Sequence, residues 1–571
     1  MRSKKKNFLI VASLILLTLV LSAILLYEPI VNLVDDINKK KDFFTQGLNS
    51  IEVNSELKEA IEKKSEIGVD VLHYKIGIDI YSSQKKIKGD VVITMRVGNL
   101  KDGKINLDFY DNMKINSLTI DGEKVKYDRD DKTLTLLNNK ENDTIDIRII
   151  YEGTPKSLGF GSFNFTEVGN KNFVYTMNEP VYASTWLPCV DLPTDKALAD
   201  IFITNDSSMV SLSNGKLIGI TSSGARKTFH WKTFYPISTY LIAMYSADYE
   251  TYTQKYISIS KDTVDLYCYA TPEKFEDLKK DFSDHNSYMK IFEELFGPYP
   301  FPKEKYGLAE FWWNYGAMES QTITGVGSTY ISGRKFFADM LIHELSHHWW
   351  GDAVTPKSWK DIWLNEGFAT YSEALYWEKK SGPSALRSTM EPKFQTFDNG
   401  TLYNPVDNLF SGLIYDKGGW VLHMLRKEIG DKNFFIVLKK YFERYKYKNA
   451  STEDFKNICE EISGKKLKQF FDQWVYKGEG IIELEYDWNA AKSQDGYMVK
   501  INLEQLQNGY DTYKFPVDIK ISFENSEDSL IETKYVYKKE TTFSIIVKSK
   551  PKKIELDPDR WLLAVINKKE D

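Results

Sequence analysis

The sequence predicts an α+β multidomain protein: an N-terminal antiparallel β domain, a mainly helical middle domain and a small C-terminal β-sandwich, preceded by one transmembrane helix. Three observations carry this. Apolar and polar residues alternate through residues 70–250 and again through 481–571, the period of half-buried strands. Beyond Tyr269 the apolar positions fall at helical spacing until about residue 480. Residues 8–27 form an uncharged apolar run, and twenty helical residues span about 30 Å, the thickness of a bilayer's hydrocarbon core.

Taken in order, residues 1–7 hold Arg2, Lys4, Lys5 and Lys6, a cationic flank expected to stay in the cytoplasm and to leave the rest of the chain outside. The run 8–27 is read as an uncleaved signal-anchor; a cleaved signal peptide, cut after Ala23, is the rival reading. Residues 28–69 are charged and poor in aromatics, which suits a stalk with a short helix around Glu56 to Lys64. In 70–250, Tyr74, Ile76, Ile78 and Ile80 share one face, as do Val91, Ile93, Met95 and Val97, and Ile145, Ile147, Ile149 and Tyr151. In 251–480, Phe292, Leu295 and Phe296 share a helix face, and an apolar strand from Leu308 to Trp313 follows. In 481–571, Val499, Ile501 and Leu503 alternate, then Phe515, Val517, Ile519 and Ile521.

Composition narrows the function. A chain of 571 residues, 42% hydrophobic and 27% charged, suits several globular domains. The formal net charge of −6, with no basic tract beyond the N-terminus, argues against a nucleic-acid partner. Cys189, Cys268 and Cys459 are too few and too scattered for a disulfide framework and lack zinc-ligand spacing, so they are expected to be buried thiols.

The chemistry concentrates in His343 to Glu366, which reads HELSHHWWGDAVTPKSWKDIWLNE. Two histidines four apart on a helix project from one face and can close on a single Zn²⁺. Glu344 between them stands beside the metal as a general base rather than a ligand. Catalytic zinc keeps three protein ligands, and Glu366, eighteen residues beyond His347, is placed to be the third. Upstream, Tyr315-Gly316-Ala317-Met318-Glu319-Ser320 offers a glycine that lets a backbone come close and a carboxylate that can pair with an ammonium. Glu373, two turns after Glu366, is either a carboxylate orienting a ligand histidine or a plain surface residue.

These residues resemble the aminopeptidase N family of zinc exopeptidases, gluzincins whose third ligand is a glutamate. The likeness includes His348-Trp349-Trp350-Gly351-Asp352 and Asp361-Ile362-Trp363-Leu364-Asn365-Glu366-Gly367, and it spans nearly the whole chain after the first seventy residues. It implies a saddle-like N-terminal domain, a thermolysin-like catalytic domain and one zinc per chain. The family signature Gly-Ala-Met-Glu-Asn falls on Gly316 to Ser320, with serine in place of asparagine, which implies substrate binding by Gly316, Ala317, Met318 and Glu319. Asn178-Glu179-Pro180 matches a family run whose acidic or amide residue helps hold the substrate's free amine, although Met177 stands where many members have glutamine. Tyr415, in Tyr-Asp-Lys-Gly, takes the place of the family's catalytic tyrosine. Many relatives carry a large helical domain after the β-sandwich, and none is expected here before the chain stops at Asp571.

The expected protein is a membrane-anchored zinc aminopeptidase acting on peptides with a free N-terminus outside the cytoplasm, with no obligate protein partner. Two alternatives stay open at this stage. One is another hydrolase on the same scaffold, since leukotriene hydrolases of the family also open an epoxide; the other is a non-catalytic surface binding protein.

Overall fold

In a computed structural model of the chain, residues 68–569 are described, apart from 99, 139–142, 159–160, 170, 398–399 and 406–408. The expected membrane span and nearly all of the expected stalk lie outside these residues. Among the described residues no helix is long and apolar enough to cross a membrane. The chain divides into Met1–Glu52 with Phe410–Gly412, and Val53–Leu409 with Leu413–Asp571; every element below belongs to the second unit.

The first alternating runs become a nine-stranded sheet. Val69–Tyr81 and Lys86–Val97 pair antiparallel, and Asp143–Gly153 follows on the far side of Lys86–Val97. The apolar face read from the sequence is buried throughout: Tyr74, Ile76, Ile93 and Ile147 are all at 0% exposure. The expected antiparallel sheet needs one correction. Val69–Tyr81 pairs in parallel with Lys196–Asp206 on its other edge, so the sheet is mixed. Over a hundred residues separate the two strands, enough to return the chain to the starting edge, and alternation alone does not encode direction.

The middle of the chain opens on a five-stranded sheet, and helix begins beyond Tyr269, at Phe275. The order of the sheet is Glu250–Ile257, Thr263–Ala270, Tyr306–Phe311, Thr324–Gly327 and Ala317–Met318. Tyr306–Phe311 runs parallel to both neighbours and is buried at every residue, as central strands covered on both faces are. Helices α1 (Phe275–Phe282) and α2 (His285–Phe296) are followed by α3 (Ala338–Ser346), α4 (Trp363–Ser381), α5 (Pro383–Met390), α6 (Gly418–Ile429), α7 (Asp431–Tyr445) and α8 (Thr452–Ser463). Trp349, Trp350, Trp359 and Trp363 are fully buried among them. Trp350 stacks on Tyr441 of α7 at 6.0 Å between centroids and lies 5.0 Å from Phe368 of α4, so the helices are joined through large aromatic surfaces.

Two small sheets end the chain, one of four strands and one of three. Tyr486 of the first donates its hydroxyl to the Ile554 carbonyl of the second at 3.0 Å. The three cysteines are free and buried, as expected.

Candidate metal centre

Helix α3 carries His343 and Glu344 in its last turn. His347 lies one residue past it but keeps helical dihedrals (φ −57°, ψ −24°), and its N–H reaches the His343 carbonyl at 3.3 Å. The two imidazoles therefore face the same way, with ring centroids 4.7 Å apart. Helix α4 packs against α3 and presents Glu366 in its first turn. One oxygen of Glu366, Oε2, lies 3.3 Å from His343 Nε2 and 3.4 Å from His347 Nε2.

What the other ring nitrogens do fixes the chemistry. His343 Nδ1 meets Glu373 Oε1 at 2.9 Å, and His347 Nδ1 meets the Trp350 carbonyl at 2.9 Å. Both partners are acceptors, so each Nδ1 donates, and each ring turns its Nε2 toward Glu366, as a lone pair whenever the ring is neutral. Two ring nitrogens and a carboxylate oxygen thus converge where all three residues are buried, an arrangement that can hold a metal ion. Nitrogen, nitrogen and oxygen donors in this arrangement fit Zn²⁺. Glu373 is itself held by Lys393, whose Nζ lies 2.9 Å from its other oxygen. Of the two readings of Glu373, the structure gives the carboxylate that orients a histidine.

Other carboxylates ring the same pocket. Glu344, Glu319 and Glu179 are 6%, 4% and 3% exposed, and Glu344 Oε2, Glu319 Oε1 and Glu179 Oε1 have no hydrogen-bond partner. Glu179 lies two residues past the strand Lys171–Met177; Glu319 follows the edge strand Ala317–Met318. Burial, then the charges of Glu319 and Glu366, pushes the Glu179 carboxyl well above the usual range. Burial raises Glu319 and lifts Glu344 to about 8. The donor set shows the opposite balance. Burial would raise Glu366 and lower His343, but His347 and His343 together leave Glu366 at about 2, and Glu366 and Glu373 leave His343 at about 9. His347 is raised as well, burial being outweighed by Glu319 and Glu366. A divalent cation would draw all these carboxylates and imidazoles to their deprotonated forms.

The edge strand Ala317–Met318, one of the stretches singled out from the sequence, packs against α3. Gly316 has φ +129°, and a Cβ there would meet nothing within 4 Å, so its face is open to an incoming chain. Ala317 and Met318 form the free edge of the five-stranded sheet, paired on one side only, to Val326 and Gly325. Ser320 accepts or donates a hydrogen bond with the Tyr245 hydroxyl at 3.1 Å, and Met177 is buried at 3% exposure. Tyr415 sits on a single π-helical turn, Leu413–Lys417, with its ring stacked on His343 at 5.8 Å. Helices α4 and α6 cross with Gly367 directly on Gly418: a Cβ on Gly367 would come 2.9 Å from the Gly418 backbone. The glycine contact thus sits one residue from Glu366 and three from Tyr415.

Sequence reasoning missed the brace behind the site. Lys393 follows α5, and Gln395, two residues on, donates to Asp416 at 2.8 Å, next to Tyr415. One short segment therefore holds both Glu373 and the turn that carries Tyr415. No motif marks it.

Known proteins resemble this chain along most of its length. The model of the peptidase family M1 domain matches residues 281–474, and that of the peptidase M1 N-terminal domain matches 71–241. "Probable aminopeptidase 2" of Sulfurisphaera tokodaii is 26% identical over 72% of this chain and 54% of its own length. "Aminopeptidase N" of Lactococcus lactis is 28% identical over 71% of this chain and 50% of its own. The chain thus spans about half the length of these relatives. In fold it superposes on aminopeptidase A of Legionella pneumophila, solved with aspartic acid, at a TM-score of 0.79 and 18% identity, over 90% of this chain and 61% of that one. With the two M1 models together matching more than half of its residues, the chain belongs to peptidase family M1, the aminopeptidase N family of zinc metallopeptidases.

Proposed function

We propose that the chain is a zinc-dependent aminopeptidase that removes N-terminal residues from peptides, held to a membrane by residues 8–27 with the remainder outside the cytoplasm. The observation that carries the activity is the set of buried carboxylates around the donor triad, Glu344, Glu319 and Glu179, each with one oxygen that has no hydrogen-bond partner. His343, His347 and Glu366 would hold the zinc, whose chemistry when bound is Lewis-acid activation of a carbonyl and of water. Glu344 takes the proton from the attacking water and gives it to the leaving amine nitrogen. The Tyr415 hydroxyl donates a hydrogen bond to the oxygen on which charge develops. The free edge at Gly316, Ala317 and Met318 pairs with the substrate backbone as an added strand. Glu319 and Glu179 receive the terminal ammonium, which limits cutting to the first bond because an internal segment brings no positive charge to them. The names of the relatives, aminopeptidases throughout, agree with this reading.

The test compares kcat/KM for a free and an N-acetylated peptide, on the wild type and on Glu319→Ala. Leaving the buried ammonium without its partner costs on the order of 2–5 kcal/mol, about 30- to several-thousand-fold. The wild type should prefer the free peptide strongly, and the variant should lose most of that preference while keeping its zinc. Equal cleavage of both peptides by the wild type overturns the exopeptidase assignment.

The location rests on Arg2, Lys4, Lys5 and Lys6 ahead of the apolar run. Protease treatment of intact cells should release an active fragment cut between Asp35 and Val69. Activity that stays protected until lysis would reverse the orientation.

A further inference from the structure

The pocket contains a second donor set. Glu179, Glu319 and Glu366 each offer one carboxylate oxygen, and these three atoms lie within 4.8 Å of one another. All three residues are buried, at 3%, 4% and 2% exposure. Glu179 Oε1 and Glu319 Oε1 have no hydrogen-bond partner. The three come from separate places in the fold: two residues past the strand Lys171–Met177, one residue past the edge strand Ala317–Met318, and the first turn of α4. Neither the Glu179 oxygen nor the Glu319 oxygen is satisfied by a neighbouring carboxylate, and once ionised all three groups are acceptors only. Three such oxygens meeting out of water call for a positive partner between them.

The substrate's ammonium is one such partner. A metal ion is another, and the donors select its kind. They are all anionic oxygens, with no nitrogen or sulfur among them, which suits hard divalent cations rather than the softer ions favoured by imidazole. Glu366 belongs to both sets, so occupation of one neighbours occupation of the other. We propose that Glu179, Glu319 and Glu366 form a second cation site, specific for a hard divalent ion, and that this ion and a terminal ammonium exclude one another. The identity of the displaced amine rests on the aminopeptidase reading; the cation site itself does not. Its consequence is control by the medium. Hard divalent ions raise KM and leave kcat unchanged, because an enzyme that has already bound its substrate has no room for the second ion.

Mn²⁺ is the probe. It stands low in the order of divalent affinities, so it leaves zinc in place on the imidazoles, and its paramagnetism reports binding without any assay of activity. Zinc-loaded protein is titrated with Mn²⁺ and followed by electron paramagnetic resonance, with zinc content measured alongside. One Mn²⁺ per chain should bind in addition to one zinc. Glu319→Gln and Glu179→Gln should each weaken it by about tenfold or more while zinc stays stoichiometric, which also shows that the variants fold. Leucinamide should displace the Mn²⁺, and N-acetyl-leucinamide should not. Absence of bound Mn²⁺ at millimolar concentration, or binding indifferent to both substitutions, overturns the second site and leaves the aminopeptidase reading untouched. Mn²⁺ that responds to both substitutions but ignores leucinamide upholds the cation site, refutes the exclusion, and counts against the amine clamp.

Discussion

Five of the seven histidines are buried, and they sit in two opposite electrical settings. His343 and His347 face Glu366, with Glu373 and Glu319 close by, and are pushed up despite their burial. His285, His348 and His423 are pushed down to about 3 by burial. His347 and His348 are neighbours in sequence, yet they differ completely. His348 accepts the Thr322 N–H on Nε2 at 3.0 Å and turns Nδ1 to the Glu344 carbonyl at 3.3 Å, so it is satisfied as a neutral ring. Burial does not make a ligand. In His343 and His347 one nitrogen is satisfied and the other faces Glu366, whereas both nitrogens of His348 have partners.

The contrast breaks most completely at Glu366. Glu366→Ala removes the oxygen toward which both Nε2 atoms point, and two neutral rings alone leave zinc short of three protein ligands. The variant should purify with far less than one zinc per chain and without activity; full occupancy by elemental analysis would contradict the donor set. Glu344→Gln tests the residue between the histidines. It should keep the zinc and lose about 10²–10⁴-fold in kcat, since the amide cannot accept a proton. Zinc loss instead would make Glu344 part of the donor set.

The smallest effect lies in the neutral group. His285 has a folded-state pKa near 3 against an ordinary 6.5, so its contribution to stability is present above 6.5 and fades as pH falls toward 3. That loss amounts to about 1.4 kcal/mol per pH unit for one histidine. Urea midpoints between pH 7 and 4 should fall less steeply for His285→Gln than for the wild type. Identical slopes would mean that His285 already titrates with solvent.

Much of the centre was legible because it is local. His343, Glu344 and His347 lie within two helical turns, and Glu366 opens the next long helix, so residue spacing alone brings their roles within reach. Glu179 and Glu319 are 140 residues apart in the chain. Only the docking of the strand at Lys171–Met177 near the five-stranded sheet brings them to one point, and resemblance rather than periodicity picked them out. Lys393 and Gln395 carried no signal, since a lysine after a short helix is ordinarily a solvated charge. The fold divides along the same line. Alternation marked which faces are buried from Tyr74 onward, but not the parallel pairing to Lys196–Asp206, which depends on where a long connection returns.

The crossing of Gly367 on Gly418 gives the centre an unusual sort of permanence. Most catalytic distances are set by side chains, which can rotate, swap partners or be replaced by a cousin of similar shape. Here the spacing between the elements that carry Glu366 and Tyr415 is gauged by main chain resting on main chain, with no rotamer in the path. Such a gauge has an alphabet of one letter. A single added methyl at Gly367 would meet backbone, which cannot swing aside, and a displacement of about 1 Å can cost on the order of 10²-fold in rate. The lesion would touch no charge, no donor and no ion, and every residue with a chemical role would still be present.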